Sequence, residues 1–272
     1  MNKTLLLTLT ILLLAGVTAA QQSHPDVRVR SVTTTLSSQA LWQPPLDTSW
    51  QWQLSTPVDQ SLKVKMYDID LFDNGADVVA SLHAKSRKVV CYIDVGTWEN
   101  WRPDAKKFPK KVLGKHNGWP GERWLDIRQI SILGPLMQAR LDKCQAKGFD
   151  AVEPDNIDGY TNKTGFPLSY QDQLTYNLFI AEQAHARGLS VALKNDLDQI
   201  PDLLSFFDFA LDEQCFQYRE CDLLLPFIDA NKAVFEVEYK LNRSQFCADA
   251  NAMNFNSMKK HLDLGAWRKP CR

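Results

Sequence analysis

The run Gly148-Phe-Asp-Ala-Val-Glu-Pro-Asp-Asn-Ile-Asp-Gly-Tyr160 is an apolar segment that ends in a burst of carboxylates, with Glu153, Asp155 and Asp158 inside six positions. Glu153 and Asp155 are two apart, so on a β-strand they share a face. Like charges held together at the mouth of an apolar scaffold push their pKa values apart, which separates an acid from a base at neutral pH. The pattern recurs along the chain. Successive apolar runs finish on Asp68 and Asp70, Asp94, Asp126, Asp155, Lys194 with Asn195, Glu213, and Glu236 with Glu238. If the faces holding Glu153/Asp155, Leu211/Glu213 and Glu236/Glu238 point inward, carboxylates from three strands converge on one cavity. A lone Asp at a strand end usually opens a turn or caps the next helix, so Asp126 and Asp212 read as nothing more. Glu213, Glu236 and Glu238 are poor turn residues, and burying several like charges without a function is costly.

Paired carboxylates without metal ligands suit glycoside hydrolysis, in which one carboxylic acid protonates the leaving oxygen and the other carboxylate attacks or activates water. Aromatic residues fit the same use, since flat rings stack on sugars: Trp50, Trp52, Trp98, Trp101, Trp119, Tyr92, Tyr160, Tyr218 and Tyr239 fall in or beside the expected mouth, while Trp124 reads as a packing residue. Other chemistries lack their signatures. There is no GxSxG elbow, no HExxH and no P-loop. His24, His83, His116, His185 and His261 fall on the leader, helices or loops, away from the carboxylates. The expectation is an enzyme with no metal and no cofactor.

These residues need a scaffold. Strand patterns cover Trp50–Leu54, Val64–Asp70, Lys88–Val95, Arg123–Asp126, Ala151–Asp155, Ser190–Lys194, Phe207–Glu213 and Ala233–Tyr239. Helical patterns cover Ala76–Ser86, Ile132–Lys147, Leu168–Arg187 and Ile200–Phe206, and Lys147-Gly148 and Arg187-Gly188 are good helix stops. Eight strands alternating with helices predict an α/β fold, a single (β/α)8 TIM-like barrel with its site at the C-terminal strand ends. An open doubly wound sheet is the alternative, weakened because no GxGxxG follows the first strand. The segment from about residue 243, carrying Cys247 and Cys271, reads as a disulfide-clamped C-terminal extension.

Composition sets the boundaries. Of 272 residues, 44% are hydrophobic and 23% charged, as in soluble globular proteins, and the net charge of -1 gives no basic surplus for nucleic acid or anionic membranes. Lys3, the apolar run Leu5–Gly16 and the small residues Thr18-Ala-Ala20 read as a signal peptide over 1–20, too short to span a bilayer in the mature protein. Residues 21–46, rich in Ser and Thr and ending in Pro44-Pro45, read as a flexible leader, and 47–272 as the barrel domain with its extension. The product is expected to be secreted, monomeric and free of the membrane. Cys91, Cys144, Cys215, Cys221, Cys247 and Cys271 suit that compartment. Spacing favours Cys215–Cys221 and Cys247–Cys271 among the fifteen pairings six cysteines allow, leaving Cys91–Cys144. The rival reading, a metal site, lacks CxxC spacing.

Four ordered motifs carry a family resemblance: Cys91-Tyr-Ile-Asp-Val-Gly-Thr-Trp-Glu99, Gly148 to Tyr160 as above, Ala192-Leu-Lys-Asn-Asp196 and Asp212-Glu-Gln-Cys-Phe-Gln-Tyr218. Over Trp50 to Tyr239 the chain resembles glycoside hydrolase family 114, the TIM-barrel endo-α-1,4-polygalactosaminidases. The resemblance implies endo-cleavage of a galactosamine-containing polysaccharide with retention of anomeric configuration, Asp155 as nucleophile and Glu213 as acid/base. Around that pair the expected sugar-binding residues are Asp68, Asp70, Tyr92, Asp94, Trp98, Glu153, Asn156, Lys194, Asn195, Tyr218, Glu236 and Glu238, with Lys194 lowering the pKa of Asp155. Unacetylated galactosamine is cationic near neutral pH, and an acidic mouth attracts it. A different amino-sugar exopolysaccharide as substrate and a non-catalytic glycan-binding barrel are the alternatives. Intact Asp155 and Glu213 speak against the second.

Overall fold

In the computed structural model, residues 41–272 are described; the expected signal peptide and most of the expected leader lie outside them. Eight parallel strands form the frame: β1 (Trp50–Gln53), β2 (Met66–Asp70), β3 (Lys88–Asp94), β4 (Ala151–Asp155), β5 (Ser190–Lys194), β6 (Phe209–Glu213), β7 (Val234–Glu238) and β8 (Asn256–Lys259). They pair in chain order from β1 to β8, and the short strand Lys269–Pro270 adds antiparallel to β8. The sheet curls until its ends meet through side chains and loop rather than a ladder. Trp50 Nε1 donates to Asn256 O at 2.7 Å and Gln51 Nε2 to Ala266 O at 2.9 Å, while Leu54 N bonds Leu264 O at 3.1 Å.

Helices α1 (Ala76–His83), α2 (Ile130–Lys147) and α3 (Tyr170–His185) are the long crossovers; later links use shorter helices such as Ile200–Leu203. Local sequence features set the ends of these helices, the Gly148 stop among them as expected. Ser169 and Asp172 form a capping box that starts α3, and Gly148 ends α2 at φ 86° in the left-handed region that glycine enters freely.

Two expected elements change place. Arg123–Asp126 is not a barrel strand; Glu122–Leu125 lies in a three-stranded antiparallel sheet with Thr97–Glu99 and Leu113–His116, inserted between β3 and α2. No crossover helix separates Asp94 from Arg123, only two short 3-10 turns, and short links favour antiparallel pairing. The eighth barrel strand is instead Asn256–Lys259, inside the stretch read as an extension. Residues 41–46, the end of the expected flexible leader, pack under the barrel: the Trp42 carbonyl accepts from Ser190 Oγ and its ring meets Phe209 edge-on at 6.3 Å.

Both sheet faces are buried. The outer face packs on the helices through residues such as Val89, Cys91, Val152, Val191 and Ala210, and the inside is filled by Trp50, Trp52, Met66, Val90, Phe209, Phe235 and Met258. Cys91 on β3 is joined to Cys144 on α2, and Cys215–Cys221 and Cys247–Cys271 are the other two disulfides, the pairing favoured by spacing. The Cys91–Cys144 link closes a loop of 53 residues against six for Cys215–Cys221. Loop-closure entropy gives roughly 4 against roughly 2 kcal/mol. Removing the first pair as Cys91→Ala/Cys144→Ala should therefore lower the urea midpoint more than removing the second. Equal losses would contradict the chain-entropy account.

Candidate active site

Three strands end on functional groups, and each is followed by a non-glycine residue with positive φ that turns the chain away: Asp155 then Asn156 (61°), Lys194 then Asn195 (50°), and Glu213 then Gln214 (70°). Such conformations cost of order 1–3 kcal/mol and collect at functional sites. The turn after β4 also needs Gly96. A Cβ there would lie 1.6 Å from Asn156 O and 2.6 Å from Asn156 C, so the β3 loop can approach only as glycine. Gly96→Ala should destabilise the protein by about 2 kcal/mol or more and displace Asp155. Thermal unfolding with a parallel activity assay checks this; an unchanged melting point would contradict it.

Lys194 joins the pair. Its Nζ lies 2.9 Å from Asp155 Oδ1 and 2.7 Å from Glu213 Oε2, so the facing oxygens are no farther apart than those two bonds together. Asp155 Oδ1 also accepts from Asn156 N at 2.8 Å, and Oδ2 accepts from Tyr92 Oη at 2.8 Å. Glu213 Oε1 accepts from Tyr239 Oη, and Glu213 N donates to Asn195 Oδ1 at 3.0 Å. Burial raises the Asp155 pKa, but Lys194, Tyr92 and the Asn156 amide outweigh it and hold the carboxyl below its ordinary range. Burial disfavours the charged form of Lys194, yet Asp155 and Glu213 hold its pKa well above normal. The ammonium also sits 5.5 Å from the centre of the Trp52 ring.

Beneath this layer Asp68 and Glu153 are fully buried. Burial pushes Asp68 up to about 7, and burial together with Asp68 pushes Glu153 well above the carboxylate range. Carboxyls so raised are partly or wholly neutral at neutral pH. They form the floor under Lys194 and do not reach the cleft.

The cleft, about 520 Å³, is lined by Asp70, Tyr92, Asp155, Asn156, Lys194, Asn195 and Glu213 from the expected set. The other expected residues take different places. Asp94 is a turn-builder, accepting from Thr97 N at 2.7 Å and from Asn156 Nδ2 at 2.8 Å. Trp98 packs against the core and donates to Ala105 O at 3.0 Å. Tyr218 is exposed and lines a neighbouring pocket. Trp50 closes the opposite end of the barrel.

Glu236 and Glu238 are a correction of parity. The inward residues of β7 are Phe235 and Val237, with Tyr239 following, so both glutamates lie on the outer face; Glu238 accepts from Gln217 N at 2.9 Å. Tyr239, not a carboxylate, completes the site from that strand.

Several cleft residues carry no sequence signal of their own. Arg102 grips Asp70 through Nη1 at 3.0 Å and Glu99 through Nε at 2.7 Å, while Glu122 and Asn117 come from the inserted sheet and Asp263 from the C-terminal loop. Trp101 and Trp119 stand half-exposed at the rim, and Trp124, read as packing, is buried yet lines the cleft. Among the described residues one trio, Asp94, Glu99 and Glu122, brings an oxygen of each within 4.8 Å of the others. Thr97, Arg102 and Asn117 already bond it. It ties the inserted sheet to β3.

A TIM-like barrel with two carboxylates facing across a lysine at its C-terminal strand ends is the framework of a glycoside hydrolase. Residues 31–272 match glycoside-hydrolase family GH114, and the chain belongs to that family as a glycoside hydrolase. Its fold is similar to that of Aspergillus fumigatus Ega3 in complex with galactosamine, at TM-score 0.80 and 39% identity, covering 85% of this chain and 97% of that one. It is also similar to the glycoside hydrolase domain of PelA from Pseudomonas aeruginosa, at TM-score 0.66 and 11% identity over 82% of this chain and 97% of that one; at this identity the likeness is one of fold. An uncharacterized protein of Deinococcus radiodurans is 25% identical over 202 residues, which are 63% of this chain and 63% of that protein.

Proposed function

We propose that this protein is a secreted endo-hydrolase of α-1,4-linked galactosamine-containing polysaccharide that retains anomeric configuration. The observation that carries the reading is Asp155 and Glu213 sharing Lys194 at the base of an acidic, tryptophan-rimmed cleft. Retaining enzymes hold their carboxyls roughly 5–5.5 Å apart, and the common lysine supports a separation of that kind.

In the first step Asp155 attacks the anomeric carbon as the glycosidic C–O bond breaks, and Glu213, which enters this step protonated with Oε2 still accepting from Lys194, gives its proton to the leaving oxygen. Water then attacks the same carbon, Glu213 takes the water's proton, and Asp155 leaves as carboxylate. Asp155 suits the nucleophile because it is held ionised, with Oδ2 meeting only Tyr92. Asp70, Glu99, Glu122, Asp158 and Asp263 along the cleft outnumber Arg102 and Lys194, which favours a cationic polymer. The galactosamine bound by Ega3 supports the same sugar here. Trp101 and Trp119, 52% and 53% exposed, offer stacking faces beyond the cut, as an endo-enzyme requires. The signal-like N-terminus and three disulfides support secretion.

Proton NMR of α-1,4-galactosamine oligomers during digestion tests the mechanism. The α-anomer should appear first; a first-formed β-anomer would overturn retention. The second reading, another amino-sugar exopolysaccharide, keeps the same residues and differs in the polymer cleaved.

A further inference from the structure

Glu213 ends β6, and the chain leaves it through a turn that cannot hold itself. Gln214 (φ 70°) and Arg219 (φ 64°) both occupy the left-handed region, where a residue with a Cβ is strained. Between them Cys215–Tyr218 is a single helical turn, too short to be stable alone. The turn is fixed from outside. Gln214 N donates to Val237 O at 2.9 Å, and Gln217 N donates to Glu238 Oε1 at 2.9 Å. The Phe216 ring packs on Phe246 at 5.7 Å. The last tie is covalent: Cys215, fully buried, is joined to Cys221, 4% exposed.

Of the three disulfides this one spans the fewest residues, 6 against 24 and 53, so it removes the least chain entropy and adds least to global stability. What sets it apart is its place. Cys91–Cys144 ties β3 to α2, and Cys247–Cys271 ties the helix Arg243–Ala252 to the C-terminal residues. Cys215–Cys221 closes the turn that directly follows a carboxylate of the site. The peptide between Glu213 and Gln214 takes the strain. Its N–H makes the bond to Val237 O, while Glu213 N is held by Asn195 Oδ1. If the ends of the turn part, Gln214 can relax to an ordinary φ, which swings that peptide and the Glu213 carboxyl with it. A general acid works only within hydrogen-bond reach of the leaving oxygen, and a misplacement of about 1 Å can cost about 10²-fold.

We propose that the Cys215–Cys221 disulfide is a positioning element for the acid/base Glu213, holding the strained turn that aims its carboxyl at the leaving oxygen. The proposal rests on the hydrolase reading above. Neither cysteine touches the substrate; both act through the turn. Without the link Glu213 keeps its chemistry and loses its place, so proton transfer suffers while Asp155 and the cleft stay intact.

The test compares wild type with Cys215→Ala/Cys221→Ala on α-1,4-galactosamine polymer and on a galactosamine-oligomer fluoride, whose leaving group needs no proton. On polymer kcat should fall about tenfold or more, part of the roughly 10²–10⁴ that a positioned general acid contributes, with KM little changed. Fluoride release should fall far less. In a Glu213→Gln background the same pair should lower kcat little further, because the group it positions is already gone. Cys91→Ala/Cys144→Ala is the control and should lose stability in urea while keeping kcat. Cys215→Ser/Cys221→Ser, closer to cysteine in volume, repeats the measurement. Equal losses on polymer and fluoride, an additive loss in the Glu213→Gln background, unchanged kcat on polymer, or failure of both pairs to fold would overturn the proposal while hydrolysis itself stands. Failure of wild type to cut any galactosamine polymer would overturn the parent reading and this one with it.

Discussion

Replacing Glu213 by Gln should lower kcat about 10³-fold, within the range for loss of a general acid–base group, with KM changed only a few-fold. The amide keeps the shape of the carboxyl. Its oxygen can face Lys194 and its NH2 can donate to Tyr239 Oη, so both contacts survive in altered polarity. What is lost is the proton for the leaving oxygen. A substrate whose leaving group needs no proton, such as a glycosyl fluoride, should recover much of the first step. Loss on both substrates alike would place Glu213 in binding rather than proton transfer. Retention of kcat within tenfold on the natural polymer would remove it from the mechanism.

Replacing Lys194 by Met should have the next largest effect, with a signature in pH. With the ammonium gone, burial is the largest influence left on Asp155, and its pKa rises. The nucleophile must be ionised, so the acid limb of the kcat/KM profile should move to higher pH. At neutral pH kcat should fall about 10²-fold or more, since a charge directed at the reacting groups is removed. An acid limb that stays in place would show that Lys194 does not set the ionisation of Asp155.

How much of this is legible in sequence depends on which physical signal each residue carries. Asp155, Lys194 and Glu213 are legible because each ends an apolar run and period-2 alternation gives its face. Glu236 and Glu238 defeat the same logic. In a barrel both faces are buried, so Phe235/Val237 and Val234/Glu236 are equally acceptable as the inner set, and only packing decides. Strand existence is legible but pairing is not, as Glu122–Leu125 shows by joining the inserted sheet. Asn256–Lys259 escapes for the opposite reason: its Asn, Ser and Lys hide a strand whose single inward apolar residue is Met258. Arg102, Asn117 and Glu122 reach the cleft from an insertion with no repeating pattern, so nothing in their spacing marks them. The disulfide pairing is legible because two short spacings leave one pair over.

The most direct measurement is digestion of purified α-1,4-galactosamine polymer by wild type and by Asp155→Asn, with products sized by mass spectrometry. A ladder of oligosaccharides from wild type and none from the variant is the expected result. No products from wild type, or equal ladders from both, would contradict a hydrolase that works through Asp155.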